Sequence, residues 1–314
     1  MQNILVTGAS GQLGAEIIEG LLGMGDVSLV VATDIKEPSV SLEAVPFEFL
    51  DVMDADRMTE LIKNYKITQV YHLAALLSAT AEKNIDLARK LNIGSLHHVL
   101  NIARDLNLDK VFWPSSIAVF GPDAKKDGTP QNSPCNPTTV YGITKLTGEQ
   151  WCAYYHRTFG VDVRSIRYPG LIGYKTLPGG GTTDYAVDIY HKAINHEPFT
   201  CFLEADSHLP MMYMSDAVKA TLDLMQAPAD KLTVRTSYNI SAMSFSPAEI
   251  ADSIRKTYPD FEINYAPDYR QKIADSWPNS IDDHTARNDW DWNHSYDLDA
   301  MTQDMILNLV KGKV

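Results

Sequence analysis

The run NILVTGASGQLG, Asn3 to Gly14, constrains this chain more than any other stretch. Its apolar opening reads as a β-strand, and the pattern from Gln12 to Met24 reads as a helix. Between them Gly8, Gly11 and Gly14 stand at G-x-x-G-x-x-G spacing, not the commoner G-x-G-x-x-G. Gly8 allows the tight turn, Gly11 lets backbone amides approach a pyrophosphate at the positive end of the helix, and Gly14 permits close helix–sheet packing. Ser10, Gln12 and Leu13 share the turn and join Gly8 and Gly11 as candidate dinucleotide contacts. A mere capping turn is the other reading, and the flanking strand and helix weigh against it.

The same rhythm continues. VSLVVATD, VPFEFLD, ITQVYHLAA, LDKVFWPSS and VDVRSIRYPG read as further strands, several of them preceded by helical patterns. Continuous Val/Ile/Leu runs alternating with helices mean a parallel sheet buried on both faces. The expected fold is therefore α/β, a doubly wound parallel sheet of Rossmann type over residues 1–173, with ligands bound beyond the carboxyl ends of the strands. Past Gly173 the alternation fails. LPGGGTTDY opens a helix from about Asp184 to Asn195, PMMYMSDAV leads from strand to helix, and a last helix covers Leu298 to Val310. Residues 174–314 read as a smaller, interleaved substrate-binding lobe, with 235–241 (around TSYNIS) returning to the sheet. Pro267 to His294 carries no assignable pattern.

Composition narrows the function. At 314 residues the chain holds one large α/β domain, or a domain plus a lobe. A formal charge of -13 argues against nucleic acid or an anionic membrane as partner. Cys135, Cys152 and Cys201 are odd in number and dispersed, which reads as reduced thiols. The sequence has no apolar run of eighteen residues and opens with neither a signal peptide nor an Arg-rich transit segment, so a cytoplasmic location is expected. The nine histidines form no H-x-x-x-H pair with a carboxylate between, so no metal is expected.

Residues just after the strands carry the chemistry. Asp34, twenty residues after Gly14, suits both ribose hydroxyls of NAD and repels the 2′-phosphate of NADP, so NAD is expected although Lys36 lies nearby. Asp51, beside Val52, either accepts from the adenine amino group or caps a helix. Leu73, Ala74 and Ala75 are small enough for backbone to pass a flat cofactor, and His72 reads as structural. Ser116, at the end of its strand, can donate to a substrate oxygen. VYGITK then places Lys145 one helical turn from Tyr141. Opposite charges about 4 Å apart attract by roughly 4 kcal/mol at an effective dielectric near 20, or about three pKa units. The expectation is a tyrosine tuned by its lysine into a general acid or base.

Taken together, Gly8-x-x-Gly11-x-x-Gly14, Asp34, Asp51, Leu73-Ala74-Ala75, Asn92, Ser116, Tyr141-x-x-x-Lys145 and YPG at Tyr168–Gly170 resemble the extended short-chain dehydrogenase/reductase superfamily. The resemblance implies that Tyr141 is the acid/base, that Ser116 hydrogen-bonds the reacting oxygen, and that Lys145 both tunes Tyr141 and holds the nicotinamide ribose. It adds Asn92 and Leu171 to the cofactor contacts. Dehydratases of this superfamily carry an Asp-Glu pair where this chain has Ile117 and Ala118. A UDP-sugar 4-epimerase-like enzyme is the alternative. It must neutralise a diphosphate, usually with arginines, yet from Gly170 onward 21 Asp/Glu face 12 Lys/Arg, with only Arg235, Arg255, Arg270 and Arg287 to hand. A non-enzymatic nucleotide sensor commonly loses the tyrosine or lysine, and both are present.

RYPGLI, PGGGTTDYAV, LPMMYM, YNISAMSFSPAEIA and IADSWP look instead like the L-threonine 3-dehydrogenase branch, from which the chain departs at Ser215 and Asp291, both expected in turns. That branch implies metal-free oxidation of L-threonine at the 3-hydroxyl to 2-amino-3-ketobutyrate. Gly181, Thr182 and Thr183 can then receive the carboxylate at a helix N-terminus. Asp184 either serves the ammonium or caps that helix. Ser78 is a further polar contact, and Trp277 either closes the pocket or packs the lobe. The resemblance also implies a homodimer through the helices near 83–105 and 142–159, though Leu87, Leu91 and Leu96 suit ordinary core packing equally well.

Overall fold

The computed structural model describes residues 1–37, 44–177, 179 and 181–312. Its first half alternates as the apolar runs require. The strands are β1 (Gln2–Thr7), β2 (Val27–Asp34), β3 (Phe47–Phe49), β4 (Gln69–His72), β5 (Lys110–Ser116) and β6 (Val163–Tyr168). Between them lie α1 (Gln12–Leu22), α2 (Ala55–Asn64), α3 (Ser78–Lys83), α4 (Ile85–Arg89), α5 (Ser95–Leu106) and α6 (Val140–Phe159). A π-helical turn, Lys90–Gly94, joins α4 to α5. The later elements are shorter: β7 (Gly170–Ile172), α7 (Tyr185–Ile194), β8 (Phe199–Cys201), β9 (Leu209–Tyr213), α8 (Met214–Gln226), β10 (Tyr238–Asn239) and β11 (Met243–Phe245). The chain ends through α9 (Pro247–Arg255), β12 (Ile263–Tyr265), α10 (Tyr269–Ser276), α11 (His284–Trp290) and α12 (Leu298–Lys311).

The main sheet has seven strands in the order β10-β6-β5-β4-β1-β2-β3, every neighbouring pair parallel. The order in which strands are added to the sheet reverses between β1 and β4, which makes the topological switch point where such sheets bind ligands. Period-two alternation sends Ile4 and Val6 of β1 into one apolar cluster with Ile17, Leu21 and Ala217, and Leu5 into another with Leu61, Val70 and Leu100. Both faces are covered, as a parallel sheet requires. A third cluster holds the lobe together around Tyr185, Ile189, Phe199, Leu209, Ile250 and Met305, and reaches Ile117 and Phe120 just past β5. Tyr238–Asn239 of the second half pairs with Ile166–Arg167, so the halves share one sheet.

Several details differ from the sequence reading. The small strands β7 and β11 flank β9 in a three-stranded sheet, and β8 and β12 form a two-stranded one; no alternating run announced these four. Pro267 to His294 contains α10 and α11, polar helices too short to show a period. Ser215 is not in a turn but in the first turn of α8, where a proline is also tolerated. Asp291 does end a helix, in the left-handed conformation at φ 58°.

Candidate active site

A cavity of about 570 Å³ opens at the carboxyl ends of the central strands and is walled by both halves of the chain. From the first turn it takes Gly8, Ser10, Gly11, Gln12 and Leu13; from later strand ends, Asp34, Asp51, Val52, Leu73, Ala74 and Ala75. Ser116, Tyr141, Lys145 and Leu171 line the middle, and Ser78, Gly181, Thr182, Thr183, Asp184 and Trp277 complete the wall. Pro178 and Gly180 of the glycine-rich loop lie outside the described residues.

The dinucleotide end is shaped by backbone. Gly8 sits at φ +72°, and a Cβ there would fall 2.8 Å from the Ala74 amide, so a side chain would collide with the opposite strand end. Gly11 caps α1 with no side-chain bond, and the first turn holds no acidic residue, which leaves the helix's positive end open to an anion. Asp34 accepts from the Ser10 amide at 3.0 Å and the Lys36 amide at 3.1 Å, which fixes the carboxylate and leaves it lone pairs for a ligand. Asp51 accepts from the Met53 amide at 2.9 Å; the cap of α2 is Asp54. His72 is buried and neutral, bonded to Thr7 and Ser95 at 2.8 Å each, its pKa pressed down to about 3 by burial. These donors and clearances fit NAD.

Asn92 is the one expected contact that does not line the cavity. Its side chain accepts from the Leu76 amide at 2.7 Å and donates to the Leu76 carbonyl and Thr144 Oγ1, both at 3.1 Å. It ties the segment after β4 to α6 from within the π-helical turn, a distortion often found beside functional sites. Ile35 and Leu77, which the sequence reading missed, line the cavity while 67% and 60% exposed. The available signal was an apolar residue just past a strand end, where water would otherwise meet it.

At the reacting end the expected tuning is reversed. The Ser116 hydroxyl bonds Tyr141 and favours its phenolate, but burial outweighs this and pushes the phenol up to about 12. Lys145 Nζ donates to the Pro114 carbonyl at 2.6 Å and lies over the rings of Trp113 and Tyr141, 4.6 and 5.5 Å from their centroids. Burial presses its pKa down to about 7, so near neutral pH only part of the ammonium remains to act on the tyrosine. Helical spacing gave the shared face correctly; it carried no information on desolvation. As built, the pair is a neutral phenol beside an amine poised to change protonation.

The opposite wall comes from the lobe. Gly181 donates its amide to Asp184 Oδ2 at 2.7 Å, and Asp184 begins α7 without a side-chain cap bond. Thr183 reaches the sheet because Gly170 is bare: a Cβ there would fall 2.7 Å from Thr183 Cγ2. Trp277 lines the cavity and belongs to the lobe core, and its carbonyl accepts from Lys126 at 2.8 Å. The four lobe arginines lie elsewhere, ion-paired with Asp162, Asp252, Asp268 and Asp283. Among the described residues, no group of three or more His, Cys, Asp or Glu could hold a metal ion.

A glycine turn at the switch point, a strand-end serine and a Tyr–Lys helix in one cavity define a Rossmann-type nucleotide-dependent oxidoreductase. The chain belongs to the NAD dependent epimerase/dehydratase family, whose model matches residues 4–241. It is 53% identical to a solved GalE-like L-threonine dehydrogenase from Cupriavidus necator in its holo form, at a TM-score of 0.96 over 98% of this chain and 99% of that one. A monomeric L-threonine 3-dehydrogenase from a metagenome is 48% identical at a TM-score of 0.94, over 99% and 100%. An uncharacterized epimerase/dehydratase of Staphylococcus saprophyticus is 48% identical over 100% of this chain and 98% of its own length. The protein is an NAD-dependent dehydrogenase.

Proposed function

We propose that the protein oxidises L-threonine at its 3-hydroxyl to 2-amino-3-ketobutyrate without a metal. The observation that supports this most is one shared cavity, which joins the NAD cradle to an acid–base group and to lobe residues Thr182, Thr183 and Asp184. Gly8, Ser10, Gly11, Gln12, Leu13 and Asp34 hold the cofactor's phosphates and ribose, with Asp51, Val52, Leu73, Ala74, Ala75 and Leu171 around its rings. NAD, when bound, supplies the acceptor for the hydride that leaves C3. Ser116 and Tyr141 share the 3-oxygen; Tyr141 takes its proton as C3 is oxidised, and Lys145 holds the nicotinamide ribose and assists the phenolate. Gly181, Thr182 and Thr183 receive the carboxylate at the start of α7, Asp184 and Ser78 face the ammonium, and Trp277 excludes water.

We assign residues 1–173 to the cofactor domain, 174–314 to the substrate lobe, and the cytoplasm as the compartment; no described helix is long and apolar enough to cross a membrane. We also propose a homodimer. Ile85 and Leu87 of α4 and Ile143 of α6 are 60%, 52% and 51% exposed, whereas Leu96 is buried inside the subunit. A sedimentation mass equal to one chain would reject it. The epimerase alternative loses support because all four lobe arginines are paired away from the cavity. The deciding experiment gives the protein NAD with L-threonine, or with UDP-sugars, in the presence of a chelator. Reduced nicotinamide with L-threonine is expected; no turnover, or sugar interconversion without net reduction, would remove the proposal.

A further inference from the structure

Three residues of α6, spaced four apart, each hold one of three successive residues at the end of β5. Tyr141 is bonded by Ser116, Lys145 by the Pro114 carbonyl at 2.6 Å, and Glu149 Oε1 accepts from Ser115 Oγ at 2.6 Å. The chemistry proposed above uses the first two. Glu149 is outside it, yet fully buried where helix meets sheet. A carboxylate there is costly unless compensated. Compensation comes from Arg167 of β6, whose Nε reaches Oε1 at 2.9 Å and whose Nη2 reaches Oε2 at 2.7 Å. Arg167 Nη1 goes on to the Gln131 carbonyl and to Asn239 of β10, both at 3.1 Å. One buried carboxylate thus ties α6 directly to β5 and β6 and, through Arg167, to β10.

We propose that Glu149 is a positioning residue for the reaction: its bonds to Ser115 and Arg167 fix the register of α6 on β5, and its charge favours the ammonium form of Lys145 against the dry surroundings. The proposal rests on Tyr141 and Lys145 being the acid–base pair. Register matters because Ser115 lies between the residue that accepts from Lys145 and the residue that bonds Tyr141; a slip of α6 misplaces both contacts. Charge matters because the region is dry. Lys145 faces Tyr141, Glu149 and Cys152 on its own helix and His72 from β4, with Arg167 of β6 beyond Glu149. Burial drives the amine towards neutrality, and Glu149 and Cys152 oppose it. Without the carboxylate, Lys145 and Arg167 would be two cations with no anion between them.

The test uses the full chain with ¹³C-labelled lysine, titrated by NMR without substrate, alongside steady-state kinetics. In Glu149→Gln the Lys145 midpoint should fall by about one pH unit or more. In Glu149→Asp it should return towards the wild-type value. Ser115→Ala should leave the midpoint in place and lower kcat about tenfold, with the KM for L-threonine within roughly twofold. If Glu149→Gln does not fold, Ser115→Ala alone carries the test through its kcat, since it breaks the contact to β5 and leaves the buried ion pair whole. An unmoved Lys145 midpoint without the carboxylate, or wild-type kcat in Ser115→Ala, overturns the proposal. The titration needs no turnover, so a wild-type chain inactive on L-threonine would sink the proposed function without touching the charge result.

Discussion

The two walls of the cavity are built by different means. On the sheet side, the proposed acid–base groups and the segment beside them are tied to neighbouring elements: Tyr141 to Ser116, Lys145 to Pro114, and the Leu76 backbone to Asn92. On the lobe side, Gly181 to Asp184 and Trp277 sit on loops between short elements, and the Gly181–Asp184 bond is local. Rigid elements suit chemistry that tolerates little misplacement, and loops suit recognition, which varies between substrates. The comparison therefore assigns rate to one wall and substrate choice to the other.

The largest effect should come from the sheet wall. Tyr141→Phe removes only a hydroxyl and should lower kcat by about 10²- to 10⁴-fold with NAD affinity unchanged, measured by single-turnover kinetics and fluorescence titration. Thr183→Val tests the lobe wall: losing a hydrogen bond to a carboxylate should raise the KM for L-threonine about 10- to 100-fold with a smaller change in kcat. A fall in kcat alone would break the division between walls. The third prediction concerns pH. Because burial holds the Tyr141 phenol near 12, its proton-accepting form is scarce at neutrality and grows as pH rises. kcat/KM for oxidation should climb from about pH 7 to about pH 10, approaching tenfold per unit; a profile flat over that range would contradict a tyrosine base. The smallest effect lies away from both walls. Asp291 is exposed at φ 58°, where glycine has no Cβ penalty, so Asp291→Gly should raise stability by about 0.5 kcal/mol in denaturant titration, with kcat unchanged.

The same division explains what could be read from the sequence. The sheet wall was legible because each group follows a buried strand: Gly8 after β1, Asp34 closing β2, Ala74 after β4 and Ser116 closing β5. Period and strand order then bring them together. Tyr141 and Lys145 were legible through helical spacing, but the direction of their pKa values was not, since burial is a property of the assembled fold. The bonds that hold Asn92 off the cavity lining were not legible, because nothing local shows that Leu76 takes its amide. The lobe strands β8, β11 and β12, of three residues each, carry too few positions for a period to show, and α10 begins with an Asp268 cap that looks like any polar loop.

Underlying all of this is the claim that a phenol and a dinucleotide meet a secondary alcohol in one space. Label transfer tests it most directly. L-Threonine carrying deuterium at C3, incubated with NAD and a chelator, should deliver that deuterium to the reduced nicotinamide, with a slowed rate when chemistry limits turnover. Deuterium retained in the amino acid, or released to water, would contradict the account.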